Sequence, residues 1–272
     1  MPSARCLLCV HAHPDDEALF SAGVMARYAA EGVRSVLVTC TDGSLGYMPD
    51  GTPTRAPGHD RDVVAAARRA ELETAAELLG VDRLELLGYR DSGMAGWPEN
   101  DDPEAFVRAD LDEVASRIAA VIAEERPQVV VTYDANGFYG HPDHISTHRA
   151  TMAALERDEV VQKVYFPAIP ESLLDGFLKL ALDAGMTLPE WLEGTPDWGT
   201  PDELVATEVD CTPWVRVKHD ALAAHASQVD NVDLVTMPDD VFEAVFGVER
   251  FVRALDRTGT PLPERDLFEG VA

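Results

Sequence analysis

The stretch CLLCVHAHPDDEALF, residues 6 to 20, changes character at its middle: five apolar residues run into a segment with two histidines, a proline and three consecutive acids. The apolar half reads as a buried strand spanning residues 5 to 11. The acidic half reads as the first turn of a helix, because carboxylates are favoured at the positive end of the helix dipole. That helix is expected over residues 16 to 31, stopping at Gly32, and a second strand, VRSVLVTCT, follows at 33 to 41. The chain therefore opens as a βαβ unit. Capping explains an acid or two at the helix start, but it does not require the histidines.

Working outward, residues 42 to 60 are rich in Gly, Pro and Asp and read as a long loop before the helix RDVVAAARRAELETAAELLG. A strand at 83 to 88, a second loop from 89, a helix over about 104 to 125, a buried strand at 127 to 134 and a helix over 142 to 157 complete the regular part. This alternation predicts an α/β fold: a doubly wound, mainly parallel, Rossmann-like sheet with helices on both faces. After residue 160 the pattern loosens. A helix is expected near 213 to 228, and the Trp-containing loop at 187 to 203 reads as a lid or a subunit contact. The expectation is one domain over 1–272, with a regular core at 5–160 and a pocket and lid region over about 161–272.

With 49 acidic against 22 basic residues, the 272-residue chain carries a formal net charge of -27. Such a surface repels phosphate backbones and anionic headgroups, so neither nucleic acid nor membrane insertion is expected. No stretch approaches the ~20 apolar residues of a membrane helix, and the N-terminus lacks the pattern of a signal peptide, which makes the cytoplasm the default location. Self-association is left open. Cys6 and Cys9, three apart on a strand, point to opposite faces and read as buried thiols rather than a metal clasp.

The opening stretch has a partner in VVVTYDANGFYGHPDHISTH, residues 129 to 148. Again a strand runs through a polar turn into His-Pro-Asp and a helix. Parallel strands end on one sheet edge, so the two segments can converge there. Together they hold His13, Asp15, Asp16, His141, Asp143 and His144, more than two helix caps need, and a shared metal site is the better explanation. Catalytic zinc takes three protein ligands and leaves a position for water. The chosen set is His13, Asp16 and His144. Asp15, next to a ligand but not bound, can serve as general base; His141 can protonate a leaving amine or, charged, stabilise an oxyanion; Asp143 can hold the His141 ring. His148 reads as packed or facing solvent, His11 as a hydrogen-bonded or core group, and His59, His219 and His225 carry no assignment.

AHPDDE with HPDH resembles the PIG-L or LmbE-like N-deacetylases, zinc hydrolases acting on N-acetylglucosamine-type substrates. RDSGMAG at 90 to 96 and TYDANGFYGHPDH look most like the mycothiol enzymes of that family, a deacetylase of N-acetylglucosaminyl-inositol and an S-conjugate amidase. The resemblance covers residues 5 to 160 and thins afterwards. It implies the same ligand set and base, adds Tyr139 over the oxyanion, and places Arg68, Asp91 and Gln228 against the sugar or inositol. Two departures bear on substrate: Ser44 stands where relatives carry glutamate, and Phe20 where many carry a small residue.

The resulting expectation is a zinc-dependent hydrolase, with Fe(II) as the alternative ion, removing the N-acetyl group from a small N-acetylated amino sugar or glycoside. Its rivals are an S-conjugate amidase with the same site, a non-catalytic sugar-binding protein, and an Fe(II) oxygenase, since two histidines and a carboxylate also make a facial triad.

Overall fold

The computed structural model of the chain describes residues 5–157, 159–176, 199–228 and 232–271. In chain order its main elements are β1 (Cys6–His11), α1 (Asp16–Phe20), α2 (Ala22–Ala30), β2 (Arg34–Thr41), α3 (Arg61–Leu78), β3 (Arg83–Tyr89) and α4 (Leu111–Glu125). There follow β4 (Val129–Val131), α5 (Pro142–Leu155), β5 (Lys163–Pro167), β6 (Thr207–Asp210), α6 (Val215–Ala224), α7 (Asp239–Phe246) and β7 (Val248–Asp256).

The seven strands form one sheet in the order β3-β2-β1-β4-β5-β7-β6. The first five are parallel to their neighbours. β7 runs antiparallel to both β5 and β6. The doubly wound, mainly parallel sheet predicted from the alternation is therefore present, and three of its strands come from beyond residue 160, where the apolar pattern had seemed to loosen.

β1 is buried along its whole length, as a central strand covered on both faces must be. Leu7 and Cys9 join the apolar layer that includes Met25 and Tyr28 of α2 and Leu72 of α3. Cys6, Leu8 and Val10 join the opposite layer, with Ile118 and Ile122 of α4 and Ala150 and Ala154 of α5. The strand alternation thus places Cys6 and Cys9 on opposite faces, and all four cysteines are free and buried.

Several boundaries differ from the sequence reading, among them the strand expected at 127 to 134, which is β4 at Val129–Val131. The single helix expected over 16 to 31 is two helices, broken at Ser21, whose φ of -146° is not helical. The break is stabilised from far along the chain. Glu249 of β7 accepts the N–H groups of Gly23 and Val24 at 2.7 and 2.9 Å, and Lys218 of α6 donates to the Leu19 carbonyl at 2.9 Å and to Glu249 at 2.7 Å. The helix expected from 104 begins only at Leu111, because Asp110 caps it by accepting the Glu113 N–H at 3.0 Å. Residues 106 to 108 form a separate 3-10 turn. In the C-terminal part, α6 ends at Ala224 rather than 228. Most of the loop expected at 187 to 203 lies outside the described residues, and with it the lid or contact role.

Candidate metal centre and catalytic cleft

β1 and β4 are neighbours from which the chain winds outward in opposite directions, so their carboxyl ends form a topological switch point. HAHPDDE leaves one of these ends and HPDH lies just beyond the other. Residues 131 positions apart meet there: His13 Nδ1 lies 3.2 Å from His144 Nε2. Asp16 closes the triangle, 3.4 Å from His13 Nδ1 through Oδ2 and 3.5 Å from His144 Nε2 through Oδ1. Two ligands held ~2.0–2.2 Å from one tetrahedral ion stand roughly 3.3–3.6 Å apart, so His13 and His144 have the spacing and chemistry for a metal such as zinc, while Asp16 meets them through different oxygens and would offer one of the two. His141 also lies within 4.8 Å of the two histidines. Its Nδ1, however, already accepts the Asp143 N–H at 3.1 Å, which leaves its Nε2 as the free ring nitrogen.

The electrostatics of the cluster also suit a cation. Burial opposes charge on His13, yet hydrogen bonds to Asp143 and Asp16 outweigh it and raise its pKa well above the usual range. Burial also opposes ionisation of Asp16, but His144 and His13 hold its carboxyl well below the usual value. His144 itself is pushed down to about 3, chiefly by burial.

Tyr133 was not singled out from the sequence. Its hydroxyl donates to Asp16 Oδ2 at 2.6 Å and accepts the Ala12 N–H at 2.9 Å. Its ring stacks on His144 with centroids 4.1 Å apart. It therefore fixes one proposed ligand by hydrogen bonding and another by packing. Its place at the end of the VVVTYD strand was the available signal.

Asp15 stands beside this cluster, its carboxylate 3.0 Å from Arg68 Nη2. Burial, opposed by Arg68, raises its pKa to about 6, a value suited to a base working near neutrality. Its peptide N–H donates to Glu17 Oε2 at 3.0 Å, and the other oxygen of Glu17 pairs with His225 Nε2 at 2.6 Å. Neither Glu17 nor His225 was assigned a role from the sequence, because each has its meaning only in the other. Burial lowers the His225 pKa, but Glu17 outweighs this and leaves it raised.

Asp143 departs from expectation. Its carboxylate lies on His13 Nε2 at 3.2 Å and accepts the Ser92 N–H at 2.9 Å, so it orients His13 rather than the His141 ring. What reaches His141 is the Asp143 backbone, because His141 caps α5. The charged form expected of His141 is opposed as well: burial, with His13 and His144 nearby, pushes its pKa down to about 3. With Nδ1 accepting, the neutral ring carries its proton on Nε2.

A cleft of about 400 Å³ opens over these groups, lined by His13, Asp15, Asp16, Tyr139, His141, Arg68, Asp91 and Gln228 among others. Tyr139 is 39 % exposed, with its ring edge-on to His144. Arg68 is not a surface residue: it is buried, and besides Asp15 it binds the carbonyls of Gly43 and Pro14. Asp91 ties two loops together by accepting the Leu45 and Gly93 N–H groups at 3.1 and 2.8 Å. Gln228 sits on the Tyr47 peptide, 3.4 Å from its N–H. A Cβ at position 46 beneath it would meet the tip of Gln228 and lie 2.9 Å from Arg68 Nη1, so a side chain there would have to displace both. Ser44 is fully buried, with its N–H on Asp42 and its hydroxyl accepting from Arg61 at 3.1 Å. Phe20 packs on Phe138 with centroids 4.7 Å apart and lines the cleft. His11 and His148 are structural, His11 buried against Ser21 at 2.8 Å and His148 bound to the Tyr133 carbonyl at 2.8 Å.

Comparison with known proteins agrees with this picture. The PIG-L family profile, described as GlcNAc-PI de-N-acetylase, matches residues 8–155. The 1D-myo-inositol 2-acetamido-2-deoxy-alpha-D-glucopyranoside deacetylase of Acidothermus cellulolyticus is 40% identical over 283 residues, covering 98% of this chain and 95% of that protein. Among solved structures, N,N'-diacetylchitobiose deacetylase from Pyrococcus horikoshii superposes with a TM-score of 0.55 at 24% identity, covering 89% of this chain and 74% of that one. GalB, the 4-carboxy-2-hydroxymuconate hydratase of Pseudomonas putida KT2440, does so with a TM-score of 0.59 at 20% identity, covering 95% and 99%. Two different reactions on one architecture mean that these superpositions speak for the fold, and that the chemistry has to be argued from the site.

Proposed function

The chain belongs to the PIG-L family of GlcNAc-PI de-N-acetylases, and on that premise we propose that it hydrolyses the acetamide of a 2-acetamido-2-deoxyglucosyl-inositol, releasing acetate and a free amine. The observation that carries this reading is Asp15: a carboxylate outside the three-donor cluster that faces the cleft and is held there 3.0 Å from Arg68 Nη2.

His13, Asp16 and His144 would hold the ion, zinc by preference and Fe(II) as the alternative. Bound there, it supplies a Lewis acid that makes water more acidic and polarises the acetamide carbonyl. Asp15 takes a proton from the attacking water as its oxygen adds to the carbonyl carbon. His141, neutral and protonated on Nε2, donates a hydrogen bond to the oxyanion, and the Tyr139 hydroxyl reaches it from the exposed side. As the C–N bond breaks, the proton held by Asp15 passes to the departing nitrogen. Asp143 contributes by holding the His13 ring. Arg68 and Asp91 are proposed to meet sugar or inositol hydroxyls with the valences that their loop contacts leave free, while Gln228 shapes that wall.

The chain is proposed to act as one domain, since a single sheet draws strands from both sides of residue 160. No helix among the described residues is long and apolar enough to cross a membrane. A cytoplasmic setting is proposed, in keeping with four unpaired cysteines. One feature favours a second reading, an S-conjugate amidase: Leu45, Pro53, Met94 and Trp97 line the cleft and give it an apolar wall suited to a larger thiol conjugate.

The test is amine release from the acetamido glycoside by zinc-loaded protein. Turnover is expected to fall by about 10²–10⁴-fold in Asp15→Ala, with bound zinc unchanged. Release from an S-conjugate alone would establish the second reading. Silence on both substrates overturns both substrate readings and moves the search to other N-acetyl sugars.

A further inference from the structure

Asp15 holds an unusual backbone: φ is 118° and ψ is -24°, in a region that side-chain-bearing residues rarely occupy. Such conformations persist only where the surroundings over-determine them. Asp15 is held at both ends, its carboxylate by Arg68 at 3.0 Å and its peptide N–H by Glu17 Oε2 at 3.0 Å. Glu17 is in turn fixed by His225, 2.6 Å away on its other oxygen, and both of these side chains are 0 % exposed.

Neither Glu17 nor His225 lines the cleft, so neither is placed to touch substrate. Nor is the pair needed merely to dock its segment. Ser227 already anchors it to Glu71 through two hydrogen bonds of 2.8 Å, and Gln228 anchors it to the Tyr47 peptide. An ion pair removed from water is a weak source of stability, because desolvation offsets most of its attraction. What it offers is a fixed carboxylate, one oxygen of which is aimed at the peptide of Asp15.

We propose that His225, acting through Glu17, is a positioning residue: it locks the Glu17 carboxylate so that the strained Asp15 peptide stays turned and the Asp15 side chain faces the cleft. This rests on the reading of Asp15 as the general base.

The experiment compares His225→Leu, Glu17→Met and His225→Gln with the unaltered enzyme, each zinc-loaded, normalised to bound zinc and assayed on the acetamido glycoside. His225→Leu and Glu17→Met each break one link, and Glu17→Met keeps the test open if the leucine variant does not fold, because it leaves no buried anion behind. A misplacement of about 1 Å can cost ~10²-fold, so kcat is expected to fall by about 10- to 100-fold in both, with KM within about twofold. His225→Gln, whose amide can donate to Glu17 in place of ring Nε2, is expected to recover most of the loss. Unchanged kcat per zinc in His225→Leu or Glu17→Met, with only a lower melting temperature, overturns the proposal, and so does a glutamine variant as slow as the leucine one. If the unaltered enzyme releases no amine, the deacetylase reading fails on its own. The crystal structure of His225→Leu then decides the inference: relaxation of the Asp15 φ from 118° to a negative value supports it, and retention overturns it.

Discussion

Tyr133 illustrates how a proposed metal ligand depends on a neighbour that is not a donor. Its hydroxyl is 2.6 Å from Asp16 Oδ2, the oxygen that also faces His13. Tyr133→Phe removes that bond while keeping the stacking on His144. Loss of such a supporting contact costs about 10- to 100-fold in metal affinity, and that fall is expected in a chelator-competition titration. Turnover at saturating zinc should change far less. The meeting of the two segments was legible in the sequence, because His, Pro and Asp are dense in both and a parallel sheet brings strand ends together. Tyr133 was not, because its partner lies 117 positions away and a tyrosine at a strand end has many bland explanations. Asp143 shows the opposite failure. The fold does bring it to the cluster, but its proximity in sequence to His141 suggested a contact that the turn of α5 directs to His13 instead.

At the scale of elements, the break between α1 and α2 depends on Lys218 and Glu249. Lys218 serves the carbonyl end of α1 and Glu249 the N–H end of α2, and the two bind one another at 2.7 Å with almost no exposure. Lys218→Met leaves the Glu249 charge buried without its cation. Breaking a buried pair in this way costs roughly 3–5 kcal/mol, so a loss of that size is expected in denaturant unfolding. Sequence patterning could not reveal this break: the residues from 16 to 31 suit one continuous helix, and the groups that interrupt it come from α6 and β7. The start of α4 left a signal that the expectation of a helix from 104 passes over, since Asp110 and Glu113 stand in capping positions before the apolar run. β7, an inner strand between β5 and β6, offered less, for its apolar residues Val248, Phe251, Val252, Ala254 and Leu255 do not alternate. It went unread because the βα rhythm before it had stopped.

At the scale of the whole molecule, the two apolar layers account for the behaviour of the thiols. Burial raises the pKa values of Cys6, Cys9 and Cys40 to about 12, and raises Cys211 as well. At pH 8 a thiol of that pKa is ionised about once in 10⁴ molecules, and only the thiolate reacts. Native protein is therefore expected to be silent toward a thiol-specific chromogenic reagent at pH 8, and denatured protein to titrate four thiols. A prompt native reaction would contradict the packing of both layers. The strand alternation alone was enough to place Cys6 and Cys9 on opposite faces, whereas the order of the sheet beyond β4 needed the structure, because pairing between distant strands leaves little trace in local patterning.

The contact between Glu17 and His225 joins residues 208 positions apart. On a ribosome adding ~5–20 residues per second, about 10 to 40 seconds pass between the synthesis of the two. For that interval Glu17 is without the partner that it has in the folded chain. The segment carrying Asp15 is among the first parts of the molecule to be made, and its final shape waits until nearly all the rest has emerged.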